Sequence, residues 1–275
     1  MTKVAIKSGE QITAQRIGGA KLIEVLKVVV ESAKVGVSLL ELDKIAYQKI
    51  QELGAEPSFL GYQDYLATLC TSVNNGIVHC IPNGYQLQEG DLLSIDCGLI
   101  YDEMHTDSAI SVVIGSDIHG YGPLLSSTYR SLLSGTNQVK AGVTVGQISQ
   151  AIQDSLTKDK LTIMRQFVGH GVGVKLHESP IIPNVVGHDK GVVLPAGSVI
   201  AIEPIAGTGR EAYSTDADGW STYTLDGRPV AHFEHTVLIT DGGSEVLTPL
   251  DDIIQFRPWL NIKIDYNSQV TDYGW

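Results

Sequence analysis

The sequence predicts two α/β halves related by a pseudo-twofold axis, and three features of the 275-residue chain carry that expectation. Paired helix-start signals occur twice, a turn-and-strand block recurs at a near-constant offset, and carboxylates stand at matching places in the recurring strands. The length is long for one domain and short for two, and 43% hydrophobic content is enough for a sizeable core.

Ser8-Gly-Glu-Gln11 and Ser38-Leu-Leu-Glu41 each place a hydroxyl three residues before a side chain that can reach back to it. Such capping boxes satisfy orphan N–H groups of a first helical turn. Each precedes an apolar-periodic run, so helices are expected over 9–34 and 39–53, with Gly36 and Gly54 as stops. A second helical pair is expected over 121–140 and 145–158, the latter opened by Thr144-Val-Gly-Gln147.

The halves align in detail. Val35-Gly36-Val37-Ser38 matches Ala141-Gly142-Val143-Thr144 at an offset of 106. At an offset of 107, Leu87-Gln-Glu-Gly-Asp-Leu-Leu-Ser-Ile-Asp96 lies over Leu194-Pro-Ala-Gly-Ser-Val-Ile-Ala-Ile-Glu203. Ile81-Pro82-Asn83 recurs as Ile182-Pro183-Asn184, each shortly after a histidine, His79 and His177. Repeats of this length exceed solenoid periods, so a duplicated fold is expected, with carboxylates at equivalent strand ends converging on its axis.

Asp96 is expected to end an apolar strand and Asp107 to lie in the next one, Met104-His-Thr-Asp-Ser-Ala-Ile-Ser-Val-Val113. A tight turn between Tyr101 and Asp102 sets Asp96 directly opposite Asp107, with Cβ atoms about 4.5–5.5 Å apart. Like charges that close, in apolar sequence, call for a cation. Glu203 and Glu234 also sit inside strand-like apolar runs, and His170 is flanked by glycines in Gly169-His-Gly-Val-Gly173, a loop where the backbone can approach closely. Four carboxylates and one imidazole suit two divalent ions sharing bridging ligands about 3.5–4 Å apart. Mn, Fe, Co and Zn are all admissible. His79 and His177 are available as donors or proton shuttles, whereas His105, His119, His188, His232 and His235 are expected to be structural or at the surface.

Other chemistries lack their signatures. A formal charge of −12 is the wrong sign for a nucleic-acid surface. No run approaches the roughly 20 apolar residues of a membrane helix, and the first ten residues lack a signal peptide's apolar segment, so a cytoplasmic protein is expected. Cys70, Cys80 and Cys97 show no CxxC spacing and are expected as free thiols. GxGxxG, P-loop and Gly-x-Ser-x-Gly patterns are missing.

Five ordered blocks over residues 8–250 resemble the pita-bread metallopeptidases, and specifically the type I methionine aminopeptidases. They are Val78-His79-x-Ile-Pro82, Ile95-Asp96 with Asp107, Gly169-His170-Gly171 with His177-Glu178-x-Pro180, Ile202-Glu203-Pro204, and Glu234-His235-Thr236-Val237. The resemblance implies an α+β pita-bread fold: two pseudo-twofold-related halves, about 8–115 and 116–250, with a curved, mainly antiparallel sheet covered by two helix pairs. It implies one catalytic domain over 1–250 and removal of an N-terminal methionine from peptides or nascent chains, favoured by a small second residue, so that Met1-Thr2 would itself qualify. It also implies that Asp96 holds one metal ion, His170 and Glu203 hold the other, and Asp107 and Glu234 bridge them. A metal-activated water is the implied nucleophile, with Glu203 relaying its proton and His79 and His177 contacting the scissile amide. The free α-amine would ligate the ion at Asp96. Phe59, Tyr62, Tyr65, Cys70, Leu176 and Trp220 match the methionine pocket. Peptide and nascent-chain N-termini are the implied partners, with transient ribosome association and a monomeric state.

The chain departs from the family's usual Gly at Cys80 and Thr106, from Gln at His232, from an aromatic at Leu176, and often from His at Gln63, which bears on substrate range and rate. His232, two residues before a bridging carboxylate, is a candidate to hydrogen-bond a ligand. Alternatives within and beyond the family are an X-prolyl aminopeptidase, which usually carries an added N-terminal domain, and a non-catalytic pita-bread binding protein, which normally loses ligands. Residues 251–275 lie outside the resemblance, and the aromatics Trp259, Tyr266, Tyr273 and Trp275 predict an extension that packs on the domain or on a partner.

Overall fold

The computed structural model describes residues 4–254. From residue 255 on, the expected aromatic extension lies outside the described residues. Four long helices lie near the positions the capping signals predict: α1 Gly9–Ser32, α2 Leu39–Glu52, α3 Gly122–Thr136 and α4 Val145–Lys158. Ser8, Ser38 and Thr144 form their capping boxes with Gln11, Glu41 and Gln147. The third helix is shorter than expected, stopping before the turn that leads into Gly142. It starts with no cap from its own first residue; instead Asp117 accepts hydrogen bonds from the N–H groups of Tyr121 and Gly122 at 2.7 and 2.8 Å.

Every strand pairing is antiparallel among the described residues. In the first half, Leu92–Tyr101 pairs with Glu56–Pro57, Leu69–Val73 and Met104–Val113. The second half is built on a five-stranded sheet ordered Ser244–Val246, His235–Ile239, Val199–Ile202, Gly169–Gly171, Glu178–Ile182. Leu22, Leu26 and Val29 of α1, Leu42 and Ile50 of α2, Tyr129 and Leu132 of α3, and Ile148 and Ile152 of α4 are buried in one core with the strand residues Leu93, Ile95, Ile200 and Ile202. These helical residues recur at intervals of three, four, seven or eight, one face of each helix.

The internal repeat is visible bond by bond. Gly36 N–H donates to Leu87 O at 2.8 Å, and Leu87 N–H donates back to Val37 O at 2.9 Å. In the other half Gly142 N–H donates to Leu194 O at 2.9 Å and Leu194 N–H to Val143 O at 2.8 Å. Gly36 and Gly142 take the same left-handed backbone conformation, φ 88° and 86°, which a side chain would oppose. The halves meet where Met104–Val113 lies along residues 230–239. Ser108 Oγ donates to Glu234 O at 2.8 Å, Glu234 N–H to Ala109 O at 2.9 Å, and Ser111 Oγ to His232 O at 2.9 Å.

Thr236 clamps the same seam. Its hydroxyl accepts from Asp107 N–H at 2.9 Å and donates to Asp107 O at 2.7 Å, all of it buried. Thr236→Val leaves both backbone groups of Asp107 unpartnered and is expected to destabilise the fold by about 1–3 kcal/mol in urea unfolding, with Thr236→Ser close to wild type.

Two local expectations are corrected. Asp96 does not end its strand, which runs on to Tyr101; in the repeat, Pro204 stops the equivalent strand directly after Glu203, whereas no proline follows Asp96. The hairpin turn also lies one residue further on than expected. Asp102 and Glu103 both take positive φ, 48° and 63°, between the closing pair Tyr101 and Met104. That conformation matches the twist of the flanking strands. Asp96 therefore faces Ala109, and Asp107 faces Gly98. The two aspartates share one face as diagonal neighbours rather than an opposed pair.

Candidate metal centre and apolar pocket

Each acid reaches the site from a different segment of the two halves. Asp96 and Asp107 come from the first-half hairpin, Glu203 from the end of Val199–Ile202, and Glu234 from the bend between Val230–His232 and His235–Ile239. His170 lies in a short strand, Gly169–Gly171, where a loop was expected; the bulge after His170 breaks the pairing. Its glycines are spacers: a Cβ on Gly169 would collide with the carbonyl of Ala201, and one on Gly171 with that of Ser179. Only bare backbone lets the imidazole sit this deep between strands.

One cavity of about 150 Å³ takes its lining from Asp96, Asp107, His170, Glu203 and Glu234 on one side and from Phe59, Tyr62, Gln63, Tyr65, Cys70, Leu176 and Trp220 on the other, with His79 and His177. Every residue singled out for catalysis, metal binding or the pocket lies in that lining. Ligand atoms of Asp107, His170 and Glu234 fall within 4.8 Å of one another. His170 Nε2 is 3.6 Å from Glu203 Oε1 and 3.9 Å from Asp107 Oδ2.

The apolar side is a separate small cluster in which Phe59, Tyr65, Ala67, Cys70 and Leu176 pack with Tyr62, Ile81 and Trp220. Tyr65 meets Trp220 edge to face with centroids 5.1 Å apart, and Phe59 at 6.5 Å. Cys70 pairs with Asp96 across the strands, which seats the thiol where the acids begin. His79 is aimed by a left-handed backbone, φ 58°, and its ring packs against Trp220 and Phe167. His177 Nδ1 is 2.8 Å from Tyr62 Oη, and the His177 ring lies edge-on to His170 at 4.3 Å.

Electrostatics single out the acids. Burial pushes Asp96 up to about 7. Asp107, Glu203 and Glu234 are driven well above the usual carboxylate range, first by burial and then by neighbouring carboxylates, Asp96 acting on all three. Burial takes His79 down to about 4 and His170 to about 3, helped in both by neighbouring His177. The lining holds no Lys or Arg to offset the acids. Asp96 Oδ1, Asp107 Oδ1 and Glu234 Oε1 are buried without a hydrogen-bond partner. Unpartnered acceptors cost stability unless something positive faces them, and hard oxygens with one imidazole match divalent cations. The residues fit a metal centre.

Residues 13–241 match the model of metallopeptidase family M24. The chain belongs to this family. This M24 chain is 37% identical to a methionine aminopeptidase of Clostridium perfringens over 245 residues, covering 89% of this chain and 98% of that one. It is 42% identical to methionine aminopeptidase 1 of Bacillus subtilis over 215 residues, 78% of this chain and 87% of that one. A solved methionine aminopeptidase from Thermotoga maritima superposes with a TM-score of 0.87 at 33% identity, covering 90% of this chain and 99% of that one.

Some neighbours of the site escape sequence reading in this M24 chain. Phe167 supports the His79 ring and packs on Tyr213, although it stands only three residues before His170. Lys7 is buried against Glu178 at 2.6 Å, beside His177, across 171 residues of sequence with no local signal. Of the family departures, Cys80 and Thr106 bond to backbone carbonyls away from the cavity, while Gln63 and Leu176 line it.

Proposed function

We propose that the chain is a metal-dependent aminopeptidase of the cytoplasm that removes an N-terminal methionine from peptides and nascent chains, favouring a small second residue. The observation that carries the reading is one cavity in which an aromatic and thiol-lined pocket opens directly onto the acid cluster. A thioether suits that pocket, since sulfur contacts with ring edges contribute about 0.3–1.5 kcal/mol each. The names and coverage of the relatives support the same reading.

In this reading Asp96, Asp107, His170, Glu203 and Glu234 would hold the divalent ions, with Asp96 on one side of the cluster, His170 and Glu203 on the other, and Asp107 and Glu234 available to both. Two divalent ions, Mn, Fe, Co or Zn, would supply Lewis acidity and an activated water when bound. Glu203 takes the proton released on attack at the carbonyl of residue one and returns it to the leaving amine. In the tautomer with its proton on Nε2, His177 accepts from Tyr62 Oη at Nδ1 and keeps Nε2–H free to donate to the scissile amide. His79, held near 4 by burial, is neutral at pH 7 and acts as a hydrogen-bonding group rather than a cation. Among the described residues no helix is long and apolar enough to cross a membrane. A monomer that visits the ribosome transiently completes the proposal.

Comparing Met-Ala-Ser with an X-Pro peptide as substrates tests it. Release of methionine from the first, with little turnover of the second, is the expected result, and preference for the X-Pro peptide would overturn the assigned specificity.

A further inference from the structure

His232 was expected to be structural or at the surface, or at most a hydrogen-bonding partner of a ligand, and the cavity lining leaves it out. Yet it is 2% exposed, and its Nε2 has no hydrogen-bond partner. That nitrogen is directed between two acids, 3.9 Å from Glu203 Oε2 and 4.0 Å from Glu234 Oε2. The backbone beneath it is fixed from both sides, because His232 N–H donates to Ser111 Oγ at 2.8 Å and Ser111 Oγ donates to His232 O at 2.9 Å. Glu203 is similarly anchored, its carbonyl accepting from Asn184 Nδ2 at 3.0 Å. The Glu203 carboxylate thus stands between two imidazoles, Oε1 toward His170 at 3.6 Å and Oε2 toward His232.

We propose that His232 is a positioning residue of the metal centre, donating from Nε2–H to Glu203 Oε2 and so holding Oε1 toward His170. A closure of roughly 1 Å brings the pair to hydrogen-bond length. The donor fixes which lone pairs of Glu203 remain for a cation, the role that outer partners of metal-binding carboxylates usually fill. It gives the orphaned nitrogen a partner and explains why a basic side chain is buried beside two acids yet outside the cavity wall. The inference rests on the metallopeptidase reading above.

The test uses full-length protein stripped with a chelator and titrated with Mn²⁺ by calorimetry. Wild type is expected to bind Mn²⁺; a wild type that binds none overturns the metallopeptidase reading itself. His232→Ala is expected to weaken Mn²⁺ binding by about 10–100-fold. His232→Gln, whose carboxamide N–H can reach the same oxygen, is expected to stay near wild type. If His232→Ala fails to fold, His232→Met, which fills the space without an N–H, is expected to show the same loss. Wild-type affinity in the Ala or Met variant overturns the proposal. So does a Gln variant as weak as Ala, because only direct ligation through the imidazole would then account for the loss.

Discussion

Glu203→Gln is expected to lower kcat on Met-Ala-Ser by about 10²–10⁴-fold, the range a positioned acid–base group contributes. Gln keeps the shape and one oxygen for a cation but cannot take and return a proton, so the loss belongs in kcat more than in KM. Geometry supports the choice of this acid over Asp107 and Glu234, both of which are buried. Asp107 carries backbone bonds that stitch the halves together, and Glu234 donates its own backbone N–H to Ala109 O. Glu203 follows a short strand and precedes Pro204, and it retains partial exposure at the cavity. Measurement at saturating Mn²⁺ separates proton transfer from weakened metal binding. An unchanged kcat would remove Glu203 from the relay.

The order of helices and the duplication were legible because both rest on local signals: capping boxes, apolar periodicity, and Gly-turn blocks repeated at one offset. The acids were legible for a physical reason. A carboxylate in an apolar strand needs a compensating partner, and four of them point to one site. The hairpin register was not legible, because Asp102-Glu103 is an uncommon pair for two consecutive positive-φ positions, so the sequence favours no single placement of the turn. Lys7 against Glu178 was out of reach as well, since its partner comes close only through the folded sheet. His232 falls between these cases. Its place beside Glu234 was visible, but its approach to Glu203 depends on the antiparallel pairing of His232 with Ile205, two residues beyond that acid.

Metal removal should invert the protein's response to alkaline pH. In the metal-free protein Asp96 holds its proton up to about 7, and Asp107, Glu203 and Glu234 hold theirs well above the ordinary range. Unfolded, these groups are ionised above about pH 5. The folded state therefore binds more protons, and stability falls as pH rises toward the folded-state values. The buried histidines His79, His170, His232 and His235 have lowered values, so they add stability as pH rises, but only up to their unfolded value near 6.5. Above that the acids decide the sign. The melting temperature of metal-free protein is expected to fall between pH 6.5 and 8. Metal binding draws on the ionised acids and releases their protons, so stabilisation by Mn²⁺ is expected to grow over the same interval. Thermal unfolding with and without Mn²⁺ at three pH values measures both trends. A metal-free protein that becomes more stable across this window would show that the four acids are already ionised and compensated without a cation, which removes the physical reason for placing metal ions among them.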